Sequence, residues 1–241
     1  MIDALMRWGV KFLLWLRYRI RIKGLETIRA KGRRGILFLP NHPGLIDPII
    51  IGAVLHKDFA PRFLADQDQV NRPVIRAIAK RIGVRTIPDL AKYGTGGRER
   101  IEAMLSDSIE GLKASENLVL YPAGHTYRQY LEDLRGNSGV ETILRQAPDI
   151  RVVLVRTRGV WGSGFTWASG EEPSVARTLK KGALSLLLSG LFFAPRREVN
   201  IELVEPDDLP RDADRDTLNS YLEAFYNDGA MHNTYVPYTP W

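Results

Sequence analysis

His42 and Asp47 are the two residues of this sequence whose types and spacing best suit chemistry. They lie in the stretch Asn-His-Pro-Gly-Leu-Ile-Asp-Pro at residues 41–48. A histidine can take a proton from a hydroxyl group at neutral pH, and a nearby carboxylate can orient the ring and stabilise the imidazolium that forms. The pair is therefore a candidate general base with its orienting group. The alternative is that His42 faces solvent and that Asp47 only caps a helix.

The elements around this pair are predicted by two apolar runs. Ile36–Leu39 leads into the pair and predicts a buried strand over residues 36–40, and the apolar residues after Pro48 predict a helix over residues 48–56. Side chains at such a strand-to-helix junction point into the crevice above an α/β sheet, where these proteins bind ligands. The predicted fold thus places the pair where a ligand can reach it.

Strands and helices alternate along the rest of the chain. Short apolar or alternating runs predict further strands at residues 61–65, 83–87, 118–121, 152–155 and 197–204. Helical spacing predicts helices at residues 70–81, 98–114, 136–146, 174–191 and 212–228, with loops at 88–97 and 160–170. The predicted fold class is α/β, a single domain with a mostly parallel or mixed sheet of about six to seven strands covered by helices on both faces.

The basic residues of the chain are concentrated at its N-terminus. Residues 1–34 contain ten Lys and Arg residues and two acidic ones, whereas the rest of the chain has 24 basic and 26 acidic residues. Residues 1–21 predict an amphipathic helix, with Arg7, Lys11, Arg17 and Arg21 within about a third of the helical wheel. A basic face beside Trp, Leu and Phe is typical of a helix that lies in a membrane interface. The alternative is a helix that packs on the domain with its basic face in water.

These observations predict three segments and a location. Residues 1–30 form a basic membrane-interface segment, residues 31–230 form the domain that carries the site, and residues 231–241 form an aromatic tail along the surface. The predicted partner is a membrane surface with anionic lipids, and the predicted location is peripheral, at the cytoplasmic face of the membrane. The longest uncharged run in the N-terminal helix is five residues, and the uncharged run at 182–195 is 14 residues. Both are too short to span a bilayer, and the second predicts a buried helix.

Several classes of function are excluded or disfavoured by composition. The chain has no cysteine, which excludes a thiol nucleophile, a disulfide framework and a cysteine-ligated metal. Its four histidines are widely spread, so no metal site is predicted. Nucleic-acid binding is disfavoured, because the N-terminal basic residues alternate with bulky apolar ones and no binding motif is present.

The pattern Asn-His-Pro-Gly-x-x-Asp after a strand resembles the first motif, His-x4-Asp, of the glycerolipid acyltransferase family, which includes the bacterial lysophosphatidic acid acyltransferases. Residues 121–126, Tyr-Pro-Ala-Gly-His-Thr, resemble the family's third motif, Phe-Pro-Glu-Gly-Thr-Arg-Ser. Tyr121, Pro122 and Gly124 match that motif. Ala123 stands where the family has Glu, and Thr126 stands where it has Arg.

The other two family motifs are matched more weakly. The second, Gly-x5-Arg, falls at residues 83–89, where Asp89 takes the place of the Arg and Arg85 lies within the motif. The fourth corresponds to the apolar strand at residues 152–155, which Arg156 and Arg158 follow. The resemblance therefore covers residues 36–160.

The resemblance implies acyl transfer from a thioester, acyl-CoA or acyl-carrier protein, to the hydroxyl of a lysophospholipid or a related glycerolipid. His42 would act as general base and Asp47 would orient it, without a covalent intermediate and with the thioester as co-substrate in place of a cofactor. Basic side chains and the loop of the third motif would bind the substrates. The candidate substrate-binding residues are Arg85, Tyr121, Pro122, Gly124, His125, Arg128, Arg156 and Arg158.

Other readings of the same residues remain open. Each candidate arginine can be an ordinary surface residue, and His125 a loop histidine with a structural hydrogen bond. The departures at Asp89 and Ala123 allow a peripheral lipid-binding protein that has kept the fold with little activity. An acyl-thioester hydrolase would use the same pair with water as the acceptor.

Overall fold

The computed structural model describes residues 2–66, 85–87, 90–231 and 240–241, and the side chains of residues 8–64, 102–231 and 240–241. Within these residues the strands are β1 (Tyr18–Lys23), β2 (Ile36–Pro40), β3 (Arg62–Asp66), β4 (Arg85–Ile87), β5 (Leu118–Val119), β6 (Arg151–Arg158) and β7 (Arg197–Val204). The helices are α1 (Ile2–Arg17), α2 (Leu25–Ala30), α3 (Asp47–Phe59), α4 (Leu90–Lys113), α5 (Gly139–Gln146), α6 (Val175–Ser189) and α7 (Arg215–Asn227). A short 3-10 turn, Trp167–Ser169, follows β6.

The seven strands form one mixed sheet. Their order is β1-β7-β6-β2-β5-β3-β4. Neighbouring strands are parallel except β6 and β7, which are antiparallel. The central strand, β2, is buried along its whole length, as its continuous apolar run predicts. The predicted fold class, a single α/β domain with a mixed sheet, is confirmed.

Helices cover both faces of the sheet. Successive side chains of β2 alternate between two hydrophobic clusters, with Ile36 and Phe38 in the first and Leu37 and Leu39 in the second. The first cluster includes residues of α1 and α3, and the second includes residues of α4, α5 and α7. The end of β2 is thereby fixed from both sides, and the His42–Asp47 stretch begins there.

The N-terminal segment differs from its prediction. The helix predicted over residues 1–21 ends at Arg17, and residues 18–23 instead form β1, paired in parallel with β7. The residues Tyr-Arg-Ile-Arg-Ile-Lys alternate between apolar and basic, which is the period of a strand and not of a helix. The predicted basic segment 1–30 thus contributes a strand to the sheet.

Other boundaries also shift. The turn and irregular linker predicted after Gly24 contain the short helix α2, and the loop predicted at residues 88–97 is helical from Leu90 onward. The strand predicted at residues 118–121 spans Leu118–Val119. The helix predicted at residues 70–81 lies outside the described residues.

Two predictions about burial are wrong. The helix predicted at residues 174–191 is present as α6, but much of its apolar surface is exposed, since Leu187 and Leu188 are each 81% exposed. At the C-terminus, Trp241 is buried in the first cluster, and its carbonyl oxygen accepts a hydrogen bond from Arg197 Nε at 2.5 Å. Residues 232–239 of the predicted surface tail lie outside the description. Among the described helices, none is both long enough and apolar enough to cross a membrane.

Candidate active site

The chain passes from β2 to α3 through a loop that begins at Asn41, a fully buried residue. The Asn41 side chain accepts a hydrogen bond from the Thr157 N–H at 2.7 Å. It donates to the Thr157 carbonyl at 3.1 Å and to the Tyr127 hydroxyl at 2.5 Å. Asn41 therefore ties the end of β2 to β6 and to the loop that follows β5.

Gly44 is the point where the loop after β6 packs on this stretch. The Leu45 N–H donates to the Phe165 carbonyl at 2.9 Å. A Cβ atom at Gly44 would lie 2.8 Å from Thr166 Cγ2 and 2.9 Å from the Phe165 carbonyl oxygen. A glycine at this position therefore lets the two loops approach closely, which explains its place between His42 and Asp47.

His42 and Asp47 are hydrogen-bonded. The distance from His42 Nδ1 to Asp47 Oδ2 is 2.7 Å, and the Asp47 side chain is fully buried while 15% of the His42 side chain is exposed. Asp47 opens α3, but the cap position is taken by Ile46, so the carboxylate bonds to the histidine ring instead of capping the helix. The alternative of Asp47 as a simple N-cap does not describe this geometry.

The hydrogen bond and the charges of the pair suit His42 Nε2 to act as a base. Burial raises the pKa of the Asp47 carboxyl, and the attraction of His42 opposes that rise. The positive end of the α3 dipole favours a negative charge at Asp47. With a proton on Nδ1 donated to Asp47, the Nε2 atom of His42 is left to accept a proton. The Tyr121 ring packs on the His42 ring, with centroids 4.2 Å apart.

Glu132 is a buried carboxyl at the site that the sequence does not predict. It is 3% exposed, and its Oε2 accepts a hydrogen bond from the His42 backbone N–H at 2.7 Å. Its Oε1 has no hydrogen-bond partner among the described residues. Burial, reinforced by the Asp47 charge, raises the pKa of Glu132 to about 8. The His42 carbonyl accepts a hydrogen bond from the Tyr127 N–H at 2.9 Å. Both backbone polar groups of His42 are therefore hydrogen-bonded.

The loop after β5 carries five of the predicted substrate-binding residues, which are Tyr121, Pro122, Gly124, His125 and Arg128. Tyr121 and Pro122 are buried, and Gly124 has a φ of +68°, which closes a turn in which its N–H donates to the Tyr121 carbonyl. His125 Nδ1 lies 3.1 Å from the Thr126 carbonyl. Its Nε2 is buried without a partner among the described residues, and burial lowers its pKa.

Arg128 lines a cleft that is formed by this loop. The cleft has a volume of about 220 Å³ and is lined in part by His125, Asp133 and Arg135. The Arg128 guanidinium lies 5.1 Å from the centroid of the Trp167 ring, which belongs to the loop after β6. Arg128 therefore connects the loop after β5, which lines the cleft, to the loop after β6.

Arg156 and Arg158 lie on β6 and line a different cleft, of about 440 Å³. Arg156 donates to the Phe225 carbonyl at 2.9 Å and to Glu202 Oε2 at 2.5 Å. Arg158 donates to the Asp228 carbonyl at 2.6 Å. These contacts connect β6 to its neighbour β7 and to the end of α7. Arg85 lies in β4, and its side chain is outside the described residues.

Comparison with known proteins defines the class of protein. The sequence profile of the Acyltransferase family matches residues 19–161, more than half of the chain. The chain therefore belongs to the Acyltransferase family, and the family predicted from the two motifs is confirmed. Membership makes acyl transfer its class of reaction.

A particular structure shares the fold. The crystal structure of the 1-acyl-sn-glycerophosphate (LPA) acyltransferase, PlsC, from Thermotoga maritima superposes with a TM-score of 0.60 at 17% sequence identity. The match covers 95% of this chain and 78% of that chain. No curated protein gives a significant match.

Proposed function

We propose that the protein transfers a fatty acyl group from a thioester, acyl-CoA or acyl-carrier protein, to the hydroxyl of a lysophospholipid or a related glycerolipid. The observation that carries this proposal is the 2.7 Å hydrogen bond between His42 Nδ1 and Asp47 Oδ2, with Asp47 fully buried. A buried carboxylate that is hydrogen-bonded to a histidine holds the imidazole ring in one orientation and stabilises its protonated form. This is the arrangement that a general base needs.

The reaction follows from that geometry. His42 Nε2 takes the proton of the acceptor hydroxyl while the hydroxyl oxygen attacks the thioester carbonyl carbon. The new C–O bond produces a tetrahedral oxyanion, whose collapse breaks the C–S bond and expels a thiolate. The thiolate then takes the proton from Nε2, which restores the base. A positioned general base contributes roughly 10²- to 10⁴-fold to such a step.

No serine or cysteine nucleophile is required, because the thioester is already activated and the acceptor attacks it directly. The oxyanion would be stabilised by N–H groups of the loop after β5 or by a basic side chain, each worth about 3 kcal/mol when well placed. The N–H of Gly124 itself donates within its turn, so the donor would come from a neighbouring residue.

Among the predicted arginines, Arg128 is the best candidate to bind a phosphate group of the substrates. It is exposed and lines the same cleft as His125. Arg156 and Arg158, in contrast, make several contacts with the end of α7, which support a structural role. Arg128 would take over the charge that the family's third motif places at the position of Thr126.

The surface of α1 supports a peripheral location. Trp8, Leu13 and Trp15 are more than half exposed, and Lys11 lies among them. Aromatic and aliphatic side chains beside a basic residue suit the interface of an anionic membrane. The soluble thioester donors would place the protein at the cytoplasmic face of the membrane.

The test is thiol release from palmitoyl-CoA, measured with and without a panel of lysophospholipids. We expect release by the wild type that depends on one class of lysophospholipid, and no such release by His42→Ala. His56→Ala, which removes a histidine from the last turn of α3, is the matched control and should keep activity. If palmitoyl-CoA gives no release, palmitoyl-acyl-carrier protein is the second donor to test.

Two results would contradict the proposal. Release that ignores every acceptor but still needs His42 would indicate an acyl-thioester hydrolase. Unchanged turnover by a folded His42→Ala protein would exclude His42 as the base. In both cases circular dichroism of the variant, compared with the wild type, separates loss of chemistry from loss of fold.

A further inference from the structure

The end of α6 and the turn after it expose a patch of large apolar side chains. We call this patch the α6 tip; its residues are Leu184, Leu187, Leu188, Leu191, Phe192 and Phe193. Their exposed fractions range from 47% at Leu191 to 87% at Phe193. Single exposed apolar residues are ordinary, but a contiguous group of this size marks an interaction surface.

The α6 tip is not a loosely packed part of the core. The opposite side of α6 is anchored by small and polar residues: Thr178 and Gly182 are buried, and the Thr178 hydroxyl donates to the Gly164 carbonyl at 2.7 Å. In a surface helix of a soluble protein the large apolar residues face the core. In α6 most of them face outward, so the solvent-facing side of this helix has the composition of a binding surface.

The charged residues near the α6 tip in the sequence are all basic. Between Glu172 and Glu198 the sequence has no acidic residue. The same stretch has five basic residues. Arg177, Lys180 and Lys181 precede the patch and Arg196 follows it, all four exposed, whereas Arg197 is buried. An apolar patch between basic flanks complements the surface of an anionic bilayer, whose headgroups attract cations above an apolar interior.

The α6 tip lies beside α1. The Arg17 guanidinium, at the end of α1, donates to the Leu191 carbonyl. The Arg196 guanidinium lies 4.4 Å from the centroid of the Trp15 ring. Trp15 is itself 53% exposed, so the apolar surfaces of the two elements are neighbours in space although they are far apart in sequence.

We infer that the α6 tip enters the interface of an anionic lipid bilayer together with α1. The protein would then bind the membrane through two elements, which restricts its orientation more than a single surface helix can. The inference rests on the proposed membrane location of the enzyme, but it is tested by binding and does not require turnover. It assigns a function to a helix whose composition alone predicted burial.

The experiment uses the absence of cysteine from the chain. A single cysteine at an exposed position, in Phe193→Cys, Leu13→Cys or Ser220→Cys, can carry an environment-sensitive fluorophore. Ser220 lies on α7, which packs on the other face of the sheet and is the control. On vesicles of phosphatidylcholine with phosphatidylglycerol, we expect the labels at positions 193 and 13 to shift to shorter wavelength and to become protected from an aqueous quencher. The label at position 220 should stay in water.

Two outcomes of the labelling would overturn the inference. If the label at position 13 becomes protected and the label at position 193 does not, then α1 binds the membrane without the α6 tip. If the label at position 193 shifts without vesicles, and increasingly with protein concentration, then the patch is covered by a second copy of the chain. Turnover of a soluble short-chain acceptor, measured in parallel, shows whether the proposed acyl transfer stands independently of either result.

A variant pair measures the size of the effect. Phe192→Ser combined with Phe193→Ser should lower the partition coefficient onto the same vesicles by about tenfold or more, because two aromatic side chains no longer enter the interface. Met231→Ser, at an apolar position that is 64% exposed, is the matched control and should bind as the wild type does. Both variants should keep the wild-type melting temperature. Equal partitioning of the double variant and the wild type would overturn the inference.

Discussion

The Asp47 side chain is fully buried, whereas 15% of the side chain of its partner, His42, is exposed. Asp47→Asn would preserve the shape of the site but remove the charge that stabilises the imidazolium, and would favour the wrong tautomer of the ring. We therefore expect kcat to fall by roughly a thousandfold or more, with a smaller change in KM. Steady-state thiol release with a saturating lysophospholipid measures both constants.

The matched control is Asp58→Asn, at the far end of the same helix. Asp58 makes ion pairs with Arg29 and Arg33, away from the His42–Asp47 pair. This variant should keep nearly the wild-type kcat. If Asp47→Asn also kept it, the hydrogen bond to His42 would not contribute to catalysis.

Because its pKa is raised, Glu132 should make the stability of the protein depend on pH. Burial raises its pKa to about 8, above the ordinary value of 4.5. Between these values the folded protein holds a proton that the unfolded chain has lost, so the free energy of unfolding falls as the pH rises through the folded pKa. Glu132→Gln cannot titrate and keeps an oxygen for the His42 N–H.

We expect the wild type to lose roughly 1 to 3 kcal/mol more than Glu132→Gln between about pH 6 and pH 9, because only the wild type must give up this proton. Urea denaturation of both proteins at several pH values measures the difference. Parallel stability curves for the two proteins would show that Glu132 does not titrate in this range.

The residues of the site differ in how far the sequence could predict them. His42 and Asp47 are visible because a short loop between two apolar runs brings them together. Glu132 is not visible, because its burial depends on contacts with Asn227, 95 positions away, and an acidic loop residue otherwise predicts exposure. Arg17 is a similar case: the helical wheel places it on the solvated face, but it is buried between the α6 tip and Trp241.

At the scale of elements, α7 holds the loop that carries Glu132. The Asn227 side chain accepts from the Glu132 N–H at 2.8 Å and donates to the Glu132 carbonyl at 3.0 Å. Asn227→Ala removes both bonds and leaves two polar backbone groups to find other partners, which should lower the free energy of unfolding by about 1 to 3 kcal/mol. It should also lower kcat, because Glu132 would no longer be fixed against the His42 N–H. Urea denaturation and steady-state kinetics measure the two effects.

Ser220→Ala is the control on the same helix, since Ser220 is exposed and its loss should change neither quantity. A loss of stability in Asn227→Ala without a change in kcat would show that α7 supports the fold of the loop and not the position of the base.

The elements show which patterns carry structural information and which do not. The strand β2 was predicted with its observed bounds, because a continuous apolar run can be buried on both faces of a covered sheet. The position of α6 was also predicted, but hydrophobic composition does not tell whether an apolar face meets a core or a membrane. The start of α4 was missed because the glycines at residues 94, 96 and 97 are typical of a loop.

At the scale of the whole molecule, the N-terminus combines a surface element with a part of the sheet. Residues up to Phe12 include the exposed Trp8, whereas Leu14, Leu16 and Tyr18 are buried. Deleting residues 2–12 should therefore leave the melting temperature within a few degrees of the wild type and weaken binding to anionic vesicles. Turnover of a soluble short-chain acceptor should be kept. Calorimetry, vesicle sedimentation and thiol release measure the three properties.

Deleting residues 2–21 should instead prevent folding. It removes the three buried side chains of Leu14, Leu16 and Tyr18 and most of β1, whose residues pair with β7 along six positions. Each lost buried side chain costs about 2 to 5 kcal/mol. Together they match the roughly 5 to 15 kcal/mol by which a typical domain is stable. A folded, active protein without residues 2–21 would mean that β1 is dispensable, and that the N-terminal segment is separate from the domain as the basic composition of residues 1–30 predicts.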